Sequence, residues 1–471
     1  MIEASLTLQE HHAILMKSLL LCSDGVERSA YLLCGRAFIA EDPWDGQPHY
    51  KFVSYEVVPI PDNEIISASS AHVTWKTDSL VQVLKQAQVE ALTVAIFHSH
   101  PGGLVGFSEQ DDANEPDLLE LAQNRNGLQT QLLSVVLTPS GELVGRLWIN
   151  KETHIPLQMI RVVGKTIRPY YSGRGEGIPS PAFHRQSLVF GDALTQDLSM
   201  LRVGVVGCGG TGSAIAMQLP RMGVRKIALF DQDIVEVTNL NRLYGAEMPD
   251  AEARRSKVEV VAEDLEKLGF GVEAKTYQHW ISNPVCRDAL KACDVVFGCT
   301  DDHAGRLLLN RFAYFYSVPI IDMGLAIEVS RDTPPRILAC DGRVTVLGPR
   351  HTCLLCHKVI SPVRAGEEAL KRNNPEEYER RKAEAYVLGE GNPSPAIVIF
   401  TTQLASMAIE ELVHRLQGFR DAIGPVDHRI RKFHLLKDLR SETAPDPHCR
   451  VCGSANYWGR GDIVPFLDRV E

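Results

Sequence analysis

His98-Ser99-His100 closes the apolar run Val94-Ala95-Ile96-Phe97, and Ser108 and Asp111 follow a short loop. Side chains two residues apart at a strand end project to the same side. Two imidazoles and one carboxylate, with water as the fourth ligand, make an open catalytic zinc site. Such a site needs a base to take the proton from that water. Glu27, just ahead of the run Tyr31-Leu32-Leu33-Cys34, suits the role; Glu41 and Glu56, also acidic and beside apolar runs, remain alternatives. Without a metal, His-x-His is simply two polar residues.

A second constellation begins where the apolar run Leu201 to Val206 meets Gly207-Cys208-Gly209-Gly210-Thr211-Gly212. Glycines at 207, 209 and 212, with Gly210 between them, allow a tight turn and close backbone approach to phosphate. The helix that should follow offers its N-terminal amides. Asp231, after the run Lys226 to Phe230, suits the hydroxyls of a ribose. Alone, this fingerprint fits any dinucleotide enzyme, with NAD as the default ligand. The next residues point elsewhere. Asn239, Arg242 and Lys257 bring an amide, a guanidinium and an ammonium group that nicotinamide chemistry does not need. An enzyme that splits ATP between its α and β phosphates does need them, because charge builds on the leaving pyrophosphate. Asp301, in Cys299-Thr300-Asp301, puts a carboxylate at a strand end where it could hold Mg2+.

Cysteines supply a third pattern. Cys353 and Cys356 form one Cys-x-x-Cys pair, and Cys449 and Cys452 form another. Four thiolates make a closed, structural zinc site. The gap between the pairs is too wide for a simple zinc ribbon, so two buried reduced pairs or a redox pair remain open readings. No cysteine lies between Cys356 and Cys449.

These residues need a scaffold of more than one domain, and 471 residues supply it. The first part alternates short apolar runs with turns, including Phe52 to Val58 and Leu132 to Leu137, which predicts a mixed α/β domain. Further on, runs at Asp294 to Gly298 and Val318 to Asp322 alternate with helical stretches, which predicts a parallel, doubly wound sheet. Residues 1–163 are read as the first domain, the Gly/Pro/Ser-rich residues 164–181 as a linker, and 182–471 as the second domain. The charged stretch from Ala365 to Ala385 reads as a mobile, helix-prone insertion. A net charge of -10 argues against nucleic acid as the main partner. No apolar run is long enough to span a bilayer, and the N-terminus lacks a signal-peptide pattern, so a cytoplasmic protein is expected.

His98, His100, Ser108 and Asp111, with Glu27 upstream, resemble the pattern of the JAMM (MPN-plus) metallopeptidase family over residues 10 to 155. The resemblance implies a cytidine-deaminase-like mixed sheet. It also implies Glu27 as general base, Ser108 as donor to the developing oxyanion, and cleavage after the C-terminal glycine of a ubiquitin-like protein. From about residue 180 to 457 the chain resembles the adenylating domain of ubiquitin-activating enzymes and of ThiF and molybdopterin-synthase adenylyltransferases. That resemblance implies a Rossmann-like fold, with ribose on Asp231, the triphosphate on Asn239, Arg242 and Lys257, and magnesium on Asp301. Arg306 and Asn310 stand at family-like positions, and the family shows the same distant cysteine pairs. Arg185 looks like the arginine these enzymes insert into a partner subunit's ATP site, which implies a homodimer. The chain departs from ubiquitin-activating enzymes in lacking a cysteine in the crossover segment. Expected partners are a ubiquitin-like or sulfur-carrier protein, and a conjugating enzyme if the modifier is conjugated. Activation of a sulfur carrier and a catalytically silent scaffold are the alternative functions.

Overall fold

The computed structural model describes residues 2–173, 180–383 and 395–463, and these divide into two compact units. The first takes residues 2–173, Phe315–Ser317 and 457–463. Its elements are β1 (Glu3–Gln9), α1 (Glu10–Leu20), β2 (Ser29–Ile39), β3 (His49–Pro59), β4 (Ile65–Ala68), β5 (Val73–Trp75), α2 (Asp78–Glu90), β6 (Thr93–Ser99), α3 (Glu109–Asn126), β7 (Leu132–Leu137), β8 (Leu143–Asn150), β9 (Thr153–Pro156), β10 (Met159–Val163) and β11 (Ile167–Tyr171). Nine strands form one mixed sheet in the order β11-β10-β1-β3-β2-β6-β7-β8-β9, and β4 and β5 pair separately. Alternation along β2 sends Leu32 and Cys34 to one core and Tyr31 and Leu33 to another. The first core holds Met16 and Leu20 of α1; the second holds Leu80 and Leu84 of α2 and Leu119 of α3.

Two boundaries differ from those expected of the sequence. The stretch 164–181 is not all linker, because β11 pairs antiparallel with β10 from Met159↔Tyr171 to Val163↔Ile167. Residues 457–463 belong to the first unit rather than to the domain that precedes them. Arg460 reaches Glu90 Oε2 at 2.6 Å and stacks on Tyr55 at 4.0 Å. Asp462 accepts the Phe38 amide at 2.8 Å and the Tyr316 hydroxyl at 2.7 Å. The segment lies so close to β2 that a Cβ on Gly35 would stand 1.9 Å from the Gly459 carbonyl oxygen.

The second unit covers the remaining described residues up to Asn456. It runs α4 (His184–Met200), β12 (Arg202–Val206), α5 (Gly210–Met222), β13 (Lys226–Phe230), α6 (Met248–Glu252), α7 (Lys257–Glu266), β14 (Glu273–Tyr277), α8 (Pro284–Ala292), β15 (Val295–Gly298), α9 (His303–Phe315), β16 (Ile320–Val329), β17 (Ile337–Leu347), α10 (Pro362–Asn373), α11 (Pro375–Ala383), α12 (Val398–Gln417), β18 (His428–Lys432) and β19 (Lys437–Arg440). The sheet order is β14-β13-β12-β15-β16-β17-β18-β19. The first five strands are parallel and the remaining pairings antiparallel. This is the doubly wound, Rossmann-like arrangement, in which ligands bind beyond the carboxyl ends of the parallel strands. The charged stretch expected as a mobile insertion forms α10 and α11 up to Ala383; residues 384 and 385 lie outside the described set. A Ser361 cap opens α10, whose Glu368 side chain bonds to the backbone of α9.

Gly35→Ala should lower the denaturation midpoint of the full chain, because the new methyl cannot share space with the Gly459 carbonyl. Overpacking of this kind costs about 1–3 kcal/mol. Thermal unfolding of the variant beside the parent measures it.

Candidate functional sites

The first site is built by register. Ser29 at the start of β2 pairs antiparallel with His98 near the end of β6, and the Ser99 amide donates to the Arg28 carbonyl at 2.9 Å. One step further, Glu27 comes level with His100. The Glu27 amide donates to the Ser69 carbonyl at 2.7 Å, in the turn between β4 and β5. Asp111 arrives from α3, whose N-terminus is fixed by a reciprocal cap. The Ser108 hydroxyl accepts from the Asp111 amide, and the Asp111 side chain accepts from the Ser108 amide.

The donors face one another. His98 Nε2 and His100 Nε2 are 3.2 Å apart, and they lie 3.2 Å from Oδ1 and 3.4 Å from Oδ2 of Asp111. Glu27, His98 and His100 each place a ligand atom within 4.8 Å of the others. Burial works against charge on Asp111, but its bonds to His100 and His98 prevail and hold its carboxyl well below the carboxylate range. The same bond to Asp111 raises His100. Burial raises Glu27, with the two imidazoles pulling it back. Two imidazoles and a carboxylate converging at these spacings fit one zinc ion.

Ser108 does not stand free as an oxyanion donor, because its hydroxyl donates to Asp111 Oδ2 at 2.7 Å. In this arrangement it orients the aspartate. Glu115, which the motif does not include, also lies within ligand distance of His98 and Asp111. Its oxygens are already engaged, accepting from Ser134 at 2.5 Å, from Arg146 at 2.7 Å and from Trp148 at 2.5 Å. It therefore anchors Arg146, whose guanidinium sits 3.8 Å from the Phe107 ring in the loop beside His98. A signal for it exists in the sequence: Glu115 follows Asp111 by one helical turn.

The second site lies at the carboxyl end of the parallel strands. Gly207 has φ +89°. A Cβ on Gly212 would stand 1.8 Å from the Gly207 carbonyl oxygen, so α5 starts hard against the turn. Gly209 is the residue before α5, and Gly210 packs under the stem of Arg242, whose Cδ would lie 3.1 Å from an added Cβ. Asp231 accepts the Cys208 amide at 2.6 Å and the Asp233 amide at 2.9 Å. Lys257 binds Asp233 at 2.8 Å, and its ammonium group is kept charged against burial by Asp231 and Asp233. Asn239 accepts the Glu236 amide at 3.1 Å, and Arg242 donates to the Thr238 carbonyl at 2.6 Å. Phosphate-type cations and a ribose-type carboxylate thus surround the glycine turn. This donor set fits a nucleotide triphosphate.

Asp301 is exposed, and its carbonyl accepts from Arg306 at 3.2 Å. Arg306 also donates to the Met323 carbonyl at 3.2 Å, so it fastens the Asp301 loop to β16. Asn310 serves the cysteine site instead. Buried, it accepts the Leu354 amide at 2.8 Å inside the first cysteine turn. Arg185 stands exposed on the first turn of α4. Among the described residues of this chain no contact links it to the glycine turn.

The four paired cysteines meet. Cys353 Sγ is 3.6 Å from Cys449 Sγ, and Cys356 Sγ is 3.5 Å from Cys452 Sγ. A tetrahedron with zinc–sulfur bonds of about 2.3 Å has edges of roughly 3.8 Å, so the set fits one zinc ion. Hydrogen bonding between Cys353 and Cys452 draws the Cys353 thiol down and pushes Cys452 up. Cys208 and Cys299, which flank the glycine turn and Asp301, are pushed well above the ordinary thiol range by burial. Such a shift disfavours the thiolate at both positions.

Comparison with known proteins agrees with both halves. Residues 183–451 match the ThiF family model, and residues 16–149 match prokaryotic homologs of the JAB domain. Adenylyltransferase and sulfurtransferase MOCS3 of Sus scrofa is 31% identical over 163 residues, covering 33% of this chain and 32% of that protein. Molybdopterin-synthase adenylyltransferase of Salmonella typhimurium is 29% identical over 254 residues, covering 54% of this chain and 87% of that one. Ubiquitin-like modifier-activating enzyme 5 of Drosophila persimilis is 36% identical over 120 residues, covering 23% and 30%. The chain spans about a third of the length of the first curated relative it matches, 32%. Among solved structures, E. coli MccB matches with a TM-score of 0.42 and 19% identity, over 58% of this chain and 75% of that one.

Metal analysis of protein purified without added zinc should find two zinc ions per chain. Replacing His98 and His100 together by alanine should remove one and leave the other. Loss of both, or of neither, would contradict the assignment.

Proposed function

The chain belongs to the ThiF family and carries a JAB-type domain in the same polypeptide, and from that premise we propose a two-headed enzyme acting on the C-terminus of a small ubiquitin-like protein. One head is a zinc-dependent peptidase that cuts after the terminal glycine. The other is an adenylyltransferase that activates the exposed carboxylate with ATP. The observation that carries this reading is that a metal-type donor set and a phosphate-type donor set occur in one chain.

In the peptidase head, His98, His100 and Asp111 would hold zinc, which would polarise the scissile carbonyl and acidify a water. Glu27 takes the proton of that water and passes it to the leaving amine. Ser108 keeps Asp111 oriented, with the oxyanion role implied by family resemblance open to it if the hydroxyl turns.

In the adenylating head, the glycine turn and the start of α5 receive the phosphates. Asp231 binds the ribose, Asn239, Arg242 and Lys257 bind the triphosphate, and Asp301 holds Mg2+. A carboxylate oxygen of the modifier attacks the α-phosphorus, the α–β bridging bond breaks, and pyrophosphate leaves with its charge spread over those cations. Arg185 is assigned to the ATP site of a partner copy, which makes the enzyme a homodimer. The paired cysteines hold a structural zinc.

The absence of a cysteine between Cys356 and Cys449 favours a second reading of the product. The acyl-adenylate passes to a separate acceptor, as activation of a sulfur carrier requires, rather than to a thiol of this chain. A conjugating enzyme is the alternative acceptor. Among the described residues no helix is long and apolar enough to cross a membrane.

ATP–pyrophosphate exchange with a ubiquitin-like protein ending in Gly-Gly tests the adenylating head. Asp301→Ala should abolish exchange, and an unchanged rate would remove Asp301 from the reaction. Mixing Asp301→Ala with Arg185→Ala should restore part of it, because a mixed dimer holds one complete site. No thiol-sensitive covalent adduct of this chain with the modifier should form, and one that maps to Cys208 or Cys299 would contradict the reading. In the peptidase head, Glu27→Gln should retain zinc and lose at least about a hundredfold in cleavage, the usual scale of general-base effects.

A further inference from the structure

Helix α10 is placed where none of the residues so far assigned to ATP accounts for it. It comes from the charged stretch between the two cysteine pairs, and it touches two loops at the carboxyl end of the parallel sheet. At one end, the Ser361 amide donates to His303 Nδ1 at 3.2 Å. One face on, Glu368 Oε2 accepts the Ala304 amide at 2.7 Å. Both contacts fall on the first turn of α9, directly after Asp301 and Asp302. One helical turn beyond Glu368, the guanidinium of Arg372 lies 3.8 Å from the ring centre of Trp280. Trp280 stands in the loop that follows β14.

The strand order fixes what lies between these two contacts. β14 and β15 are separated by β13 and β12, the strands that lead to Asp231 and to the glycine turn. At about 4.8 Å per strand the two loops stand roughly 14 Å apart. One turn of helix and one arginine side chain cross that span. α10 therefore runs over the cleft in which the glycine turn receives phosphate and Asp231 receives ribose. With the phosphates on β12 and the ribose on β13, the base must extend away from the glycine turn, towards the loop after β14.

The chemistry along that path suits a flat, nitrogen-rich ring. Trp280 and Arg372 stack as an indole under a guanidinium, a pairing that offers both π surface and positive charge. The indole N–H of Trp280 is buried with no hydrogen-bond partner among the described residues, a donor of the kind that ligands satisfy. Asp302 and Glu368 are the anions that act on Arg372, whose guanidinium faces the ring of Trp280. An arginine on a purely solvated helix face would have neither the stack nor the two carboxylates beside it.

We propose that α10 forms the outer wall of the pocket for the base of the nucleotide, with Arg372 and Trp280 the residues that contact a purine and Glu368 the latch that keeps α10 in place. The proposal rests on the adenylating reading and adds a residue set from the crossover segment to it. No covalent step is involved.

The test is calorimetric titration of the full chain with Mg-ATP, without any protein substrate. Arg372→Ala should weaken ATP binding about threefold, the scale of a cation–π contact at an exposed site. Trp280→Ala should weaken it by a similar factor. The double variant should be no weaker than either single one, because the two side chains act as one stack. Glu368→Ala should also weaken binding, with Trp280 left in place. ATP affinity unchanged in Arg372→Ala, or fully additive losses in the double variant, would overturn the proposal while leaving the adenylating reading intact. A parent chain that binds no ATP at all would overturn the adenylating reading, and this inference with it.

Discussion

A carbon atom on residue 212 would stand 1.8 Å from the carbonyl oxygen of Gly207. This close approach governs the second unit. It lets α5 begin directly against the turn after β12, so that its first amides are presented where a phosphate would sit. Any side chain at 212 would push the helix away and open the turn. The rest of the site is arranged around that contact. Arg242 lies over Gly210, the Cys208 amide is held by Asp231, and Lys257 is held by Asp233. The cations thus rest on carboxylates and backbone carbonyls. Burial of Lys257 would favour loss of its proton, but the two aspartates outweigh it, so the site keeps its charge.

The first unit solves a related problem with fewer residues. Three metal-type donors must converge on one point. Asp111 meets both imidazoles at 3.2 and 3.4 Å, while the cap at Ser108 stops its carboxylate from turning. Glu115 and Arg146 form the next layer, with Phe107 laid against the guanidinium. Because both oxygens of Glu115 are engaged, it can support the site without competing for the ion. The cysteine site follows the same logic from the other side: the chain brings four thiols within 3.5–3.6 Å in pairs, and buried Asn310 fixes the first turn.

Much of this was legible in the sequence. His98, His100 and Asp111 lie on one strand–loop–helix passage, so spacing alone brings them together. Glu27 was harder, and the antiparallel pairing of Ser29 with His98 is what selects it over Glu41 and Glu56. The glycine turn and Asp231 follow from the strand–turn–helix pattern. Features that depend on long-range contact left weaker traces. β11 contains Pro169 and sits in a stretch of turn residues, so its pairing with β10 has no local pattern. Gly459 and Gly461 hide the segment that packs on β2, because glycines carry no alternation. Glu368 and Arg372 look like surface charge on a polar helix, and only the fold reveals that one meets an amide and the other an indole. Ser108 matched its motif, yet its hydroxyl is engaged with Asp111 rather than open to a substrate.

If both heads serve the same protein tail, cleavage must make the substrate for adenylation. The direct measurement uses a ubiquitin-like protein that carries a short extension beyond its Gly-Gly, and follows pyrophosphate release together with the intact mass of the substrate. The parent enzyme should trim the extension and then release pyrophosphate. Glu27→Gln should do neither with the extended protein, yet release pyrophosphate at the parent rate when the tail is supplied already cut. Pyrophosphate release from the extended protein by Glu27→Gln, or none from the pre-cut protein by the parent enzyme, would contradict a shared tail.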